Sequence, residues 1–122
     1  MGNKPLQGMA LKALIDTTLE SWRFTKVFIR MMNKLDAAET TRFASQLNYY
    51  QEKLTFNLEQ VNLRLVNVEG QIYEAGMAAT ALNISDFEAE DILLVEQMLE
   101  PIIMGPDGLV RSGTVLLRKT LL

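Results

Sequence analysis

Helical spacing runs through the first half of the chain and strand spacing through its last third. From about Met9 to Leu35 the apolar residues recur at helical intervals. Leu11, Ile15, Trp22 and Ile29 fall on one side, and Leu14, Phe24, Phe28, Met31 and Leu35 on an adjoining side. A stripe this wide predicts a first helix that needs cover from more than one neighbour. Trp22, the only tryptophan, sits mid-stripe and reads as a core or interface anchor, with a ligand contact as the alternative. Met1–Gly8 holds two glycines and a proline, which predicts a loose start.

A second helix starts at Asp36-Ala37-Ala38-Glu39, the acidic form of a capping box. Its apolar positions are Phe43, Leu47, Tyr50, Leu54, Leu58, Val61 and Leu65, in steps of 4, 3, 4, 4, 3 and 4. That pattern repeats every eleven residues, or about 3.67 residues per turn, which favours a straight or slightly right-handed bundle. Gln46, Asn48, Gln51, Asn57, Gln60 and Asn62 give an uncharged polar flank suited to a packed oligomer. The helix should fade between Val66 and Gly70.

Beyond a connector at Gln71–Gly76, the pattern predicts a short strand within Met77–Ile84 and an acidic loop at Asp86–Asp91. Strands follow at Leu93–Leu99, Ile102–Met104 and Leu109–Leu117. Pro101 has no N–H for a ladder and marks an edge or a bulge. Gly105-Pro106-Asp107-Gly108 is a hairpin turn: proline presets φ, aspartate suits the next position, and glycine takes the left-handed one. Helices first and a small antiparallel sheet last make an α+β chain. The expected division is a helical dimerisation region at 1–68 and a small β domain at 69–122.

Composition narrows the chemistry. The chain has 122 residues, of which 48% are hydrophobic, and it contains neither cysteine nor histidine. Disulfides, thiol nucleophiles, imidazole or thiolate metal sites and histidine acid–base catalysis are therefore excluded. A chain this short is only marginally stabilised by its own burial. If the helices stand apart from the sheet, a second copy is expected to cover their apolar faces. The net charge of −3 argues against nucleic acid as the main partner. Residues 1–64 carry nine Lys/Arg and six Asp/Glu, whereas residues 65–122 carry three and nine, a balance of −6 for the β part. Acidity of that size steers a partner by charge. No apolar run reaches the roughly 18–20 residues of a membrane span, and the start lacks a secretory pattern. The expectation is a soluble cytoplasmic protein with no membrane partner.

Candidate sites are few. The group Asp86, Glu88, Glu90, Asp91 lacks the glycine turn and terminal glutamate of a calcium loop and reads as a solvated acidic loop. Gly105–Gly108 lacks the Gly-Lys-Ser/Thr of a phosphate loop. No serine, lysine or tyrosine has a recognisable catalytic companion, so a non-enzymatic protein without cofactor or metal is expected. Arg111 interrupts the face Leu109, Arg111, Gly113, Val115, Leu117. It either pairs with Glu96 or Glu100 or contacts a partner.

Three stretches carry a family resemblance. They are Glu20–Leu35 (ESWRFTKVFIRMMNKL), Glu69–Leu82 (EGQIYEAGMAATAL) and Gly108–Lys119 (GLVRSGTVLLRK). Together with the second helix they make residues 10–119 resemble a short, divergent member of the GrpE nucleotide exchange factors, co-chaperones of Hsp70-type chaperones. The connector lacks the proline and histidine usual in that family, and the loop before the last hairpin lacks its Gly-Tyr. The resemblance implies a homodimer in which two amphipathic helices per copy form a four-helix bundle. Trp22, Phe43, Leu47, Tyr50, Leu54, Leu58, Val61 and Leu65 would then line the dimer interface. It also implies a β domain that grips a chaperone ATPase domain and promotes ADP release. The implied contacts are Met104, Gly108, Leu109, Val110 and Arg111. The alternative is a dimeric scaffold or adaptor that binds an unrelated protein.

Overall fold

The structure, a computed structural model, describes residues 3–120, with side chains from residue 7 onward. Two helices, α1 (Asn3–Met32) and α2 (Ala37–Glu59), precede six strands: β1 (Arg64–Val66), β2 (Ala79–Ala81), β3 (Leu93–Glu100), β4 (Ile102–Gly105), β5 (Gly108–Arg111) and β6 (Gly113–Lys119). A short 3₁₀ turn at Ile84–Asp86 lies between β2 and β3. The chain is α+β, as its patterning predicts, and divides into two compact units, Met1–Leu54 and Thr55–Leu122.

In the first unit, α1 begins earlier than expected. Pro5 and Gly8 are helical rather than loose, while Met1 and Gly2 lie outside the described residues. Pro5 falls in the first turn, where N–H groups have no intrahelical partner in any case. The inward face of α1 runs Ile15, Thr18, Trp22, Thr25, Ile29, Met32, in alternating steps of three and four. Thr18 and Thr25 are both buried, and Thr18 meets its own polar demand by donating its hydroxyl to the Leu14 carbonyl at 2.8 Å. Phe24 and Met31, on the adjoining apolar side, remain exposed. The connection to α2 is tight. The Asp36 Oδ1 accepts the Glu39 N–H at 2.9 Å, half of the expected capping box, and the Thr40 hydroxyl donates to the Met32 carbonyl at 3.3 Å. Phe28 of α1 meets Phe43 of α2 edge to face, with centroids 6.3 Å apart.

α2 stops at Glu59, short of the predicted fade at Val66–Gly70. Asn62 takes φ +60°, the Leu63 N–H bonds the Leu58 carbonyl at 3.0 Å, and the Asn62 N–H bonds the Glu59 carbonyl at 3.0 Å. These are the paired bonds of a Schellman cap, with asparagine in its left-handed position. Val61 and Leu65 are therefore not on the helical stripe. Val61 lies in the cap, exposed, and Leu65 lies in β1. The eleven-residue repeat ends where the cap satisfies the last carbonyls.

The second unit contains two three-stranded sheets, ordered β1-β4-β5 and β2-β6-β3. All neighbours are antiparallel except β2, which runs parallel to β6. A long crossover separates those two strands and permits the parallel entry. The core comprises Leu58, Leu63, Val95, Met98, Ile102, Ile103, Val115 and Leu117, each no more than 4% exposed. Val95 and Met98 are three residues apart and both face inward, because a register shift between Val95 and Gln97 flips the alternation.

The strand predicted over Leu109–Leu117 is two strands. It breaks at Ser112, and the chain passes from the first sheet to the second. Gly113, Val115 and Leu117 share a buried face as expected, but Leu109 and Arg111 belong to the other sheet and are exposed. Gly113 allows the crossing: a Cβ there would lie 3.0 Å from the Glu100 carbonyl oxygen and 2.8 Å from Met98 Cε. Pro101 makes the reverse crossing from β3 to β4 and is buried. Its missing N–H falls between two ladders rather than within one.

Candidate functional site: the β4–β5 hairpin

Pro106 and Asp107 form a two-residue connection between β4 and β5, with Gly105 opposite Gly108. Gly108 takes φ +117°, a conformation that side chains resist, as the turn pattern predicts. The register then slips. Met104 pairs with Leu109, but Ile103 pairs with Arg111, which leaves Val110 as the extra residue of a bulge. The bulge swings Val110 over Gly105, so that a Cβ on Gly105 would meet Val110 Cγ2 at 2.8 Å. Leu109 and Val110 are nevertheless 49% and 43% exposed. β5 is an outer strand, so one row of its backbone groups has no strand partner.

Arg111 ends β5 within 3.5 Å of Glu100. The Glu100 Oε1 also accepts the Thr114 hydroxyl at 3.0 Å. Glu100, and not Glu96, is thus the carboxylate that holds the arginine. Beneath the exposed tip, Met104 is half-buried and Ile103 fully buried, which ties the hairpin to the unit's core. The contact candidates Met104, Gly108, Leu109, Val110 and Arg111 therefore lie on one hairpin, with two aliphatic side chains and a guanidinium exposed along its outer strand.

The helical candidates divide differently. Leu47 and Leu58 are buried, Trp22, Phe43, Leu54 and Leu65 are half-buried, and Tyr50 and Val61 are exposed. The Lys26 ammonium lies 5.0 Å from the centre of the Trp22 ring. Within the first unit an apolar groove of about 530 Å³ runs between the helices, lined by Phe24, Thr25 and Phe28 of α1 and Gln46, Leu47 and Tyr50 of α2. Patterning picked out the aromatic residues of this groove. It passed over Thr25 because a threonine carries no hydropathy signal.

The acidic turn is a structured element. The Asp91 Oδ2 accepts the Glu88 N–H at 2.9 Å, and its Oδ1 lies 3.2 Å from the Lys119 ammonium. The Glu88 N–H and the lysine hold the Asp91 carboxyl below the usual carboxylate range, against the opposing effect of burial. Among the described residues no group of three or more carboxylates is arranged to hold a metal, and no helix is long and apolar enough to cross a membrane. No protein-family model, curated protein or solved structure matches this chain.

Proposed function

We propose that this chain is a GrpE-like co-chaperone that homodimerises through its helices and uses its β unit to hold the ATPase domain of an Hsp70-type chaperone and promote ADP release. The observation that carries this reading is the β4–β5 hairpin. It presents Leu109, Val110 and Arg111 along an outer strand anchored to a buried core, and these are among the residues the family resemblance assigns to partner contact. Arginine is enriched among binding hot spots, and the exposed aliphatic side chains beside it add contact area.

Such a protein needs no catalytic side chain. If the β unit binds an open nucleotide cleft more tightly than a closed one, the difference in binding free energy lowers nucleotide affinity by the same factor. The groove between α1 and α2 supports the dimeric part of the reading. Phe24 is 67% exposed and Tyr50 is 40% exposed beside it, and the partner helices of a four-helix bundle would cover both. Such a bundle would be cytoplasmic, like the chaperone it serves.

Stopped-flow release of fluorescent ADP from the host's Hsp70-type proteins, with and without this chain, tests the proposal. Acceleration of roughly ten-fold or more is expected. A confirmed dimer that binds a protein partner without any acceleration would instead make the chain a dimeric scaffold or adaptor.

A further inference from the structure

A second surface of the β unit has the build of a docking cleft. It lies at the start of β3, the outer strand of the sheet that does not contain the hairpin. Its volume is about 500 Å³, and Ile72, Tyr73, Ile84, Phe87 and Ile92 make its apolar lining, with Glu88 at the rim. Ile72, Ile84 and Ile92 are 54%, 48% and 49% exposed. Three half-exposed isoleucines around one concavity are an unusual concentration for a free surface.

The walls are held by hydrogen bonds from backbone N–H groups, so the cleft exists before anything enters it. The Tyr73 N–H donates to the Leu93 carbonyl at 2.9 Å, the Phe87 N–H to the Ile84 carbonyl at 3.3 Å, and the Glu88 N–H to Asp91 at 2.9 Å. Asp91 is committed to Lys119. Asp86, Glu88 and Glu90 are exposed and make no ion pair among the described residues. Glu88 thus offers a carboxylate without an ion pair beside the aliphatic lining, and Asp86 and Glu90 flank the lining segment 87–89 in sequence.

We propose that this cleft docks a cationic, aliphatic segment of a partner protein, in which a lysine or arginine neighbours a branched aliphatic residue. A lysine or arginine stem lies well on the isoleucines while its head reaches the Glu88 carboxylate. The surplus of carboxylates in this half of the chain draws such a segment in and repels acidic ones. The surface is separate from the hairpin, so it stands or falls independently of the exchange reading.

The test uses the full chain and a fluorescein-labelled peptide, acetyl-Lys-Leu-Val-Arg-Ile-Lys-amide, followed by fluorescence anisotropy. Saturable, salt-sensitive binding is expected. Glu88→Gln and, separately, Ile72→Ser should each weaken it about five-fold. Glu88 is exposed and Ile72 half-exposed, so both variants should fold, and a thermal melt of each checks it. Peptides with glutamate at every basic position, or serine at every aliphatic one, should bind at least about ten-fold more weakly. No saturable binding, equal binding by both variants, or equal binding of the serine peptide would overturn the proposal. So would self-association of the chain abolished by Glu88→Lys, which would make a second copy the occupant.

Discussion

The Arg111 guanidinium lies 3.5 Å from the Glu100 carboxylate, and the two residues close one corner of the β unit. Glu100 ends β3 and Arg111 ends β5, and after each the chain crosses from one sheet to the other. The glutamate side chain is 18% exposed and also accepts a hydrogen bond from Thr114, whereas the arginine side chain is 43% exposed. One partner is fixed and the other is tethered with an open flank. The structural and partner-contact readings of Arg111 are therefore compatible: the ion pair orients a side chain that still faces outward.

Arg111→Ala should weaken the proposed stimulation of ADP release from the chaperone by roughly ten-fold. It should change folding stability by no more than about 1 kcal/mol, since the pair is partly exposed. Stopped-flow release and urea unfolding on the same sample separate the two effects. Full activity in this variant would remove Arg111 from the contact.

Gly113→Ala should destabilise the β unit by about 1–3 kcal/mol. The methyl would meet the Glu100 carbonyl oxygen and Ile102 Cγ1 at 3.0 Å, as well as the more yielding end of Met98 at 2.8 Å. The urea midpoint reads the effect directly, and an unchanged midpoint would mean that the inter-sheet crossing tolerates a side chain.

Asn83 extends the β2 side of the sheet with its own amide, donating to the Leu117 carbonyl and accepting the Leu117 N–H, both at 2.9 Å. Asn83→Asp keeps the acceptor and replaces the donor with a carboxylate facing a carbonyl. The cost at neutral pH should be about 1–3 kcal/mol. It should shrink as pH falls and the new carboxyl protonates, because the acid form can donate again. Thermal melts of both proteins at neutral and acid pH would show whether the deficit is pH-dependent.

Phe24→Glu places a charge in the groove between α1 and α2 at a residue that is 67% exposed. Helicity should be retained while the proposed dimer dissociates, because an unpaired charge would be buried at the interface. Light scattering after gel filtration gives the mass, and a variant of unchanged dimeric mass would place the interface elsewhere.

Asp91 should contribute to the acid sensitivity of the β unit. Its folded carboxyl is held below the ordinary value by the Glu88 N–H and Lys119, so the unfolded chain binds its proton more readily. The stabilisation is complete above the unfolded value of about 4 and disappears as pH falls through the lower, folded one. Asp91→Asn should flatten the stability profile across that window. An identical profile in the variant would assign the acid limb to other carboxylates.

Much of this molecule is legible in its sequence because the signals are local. The cap at Asp36, the break at Pro106-Asp107-Gly108 and the aliphatic runs around it are read within a few residues, since backbone preference acts over that range. The α+β order follows from a change of hydropathy period. By contrast, α2 reads as continuing through Val61 and Leu65, because two apolar residues at helical spacing look the same on a helix as in a cap and a strand. Asn62 carries the correct signal, yet asparagine adopts the left-handed position only where the following leucine has a core to enter.

The sequence by itself determined the α+β order of this protein, the placement of its one sharp hairpin turn, the separation of a mildly basic half from an acidic half, and the exclusion of histidine and cysteine chemistry. Only the tertiary structure decided that the last predicted strand splits at Ser112 between two sheets, that Thr18 and Thr25 are buried, that Arg111 meets Glu100, and that Ile72, Ile84 and Ile92 gather around one cleft. Each of these depends on residues far apart in the chain. Local preference and periodicity carry no information about which distant residue will supply a neighbour, and that is settled only when burial and hydrogen bonding are satisfied together.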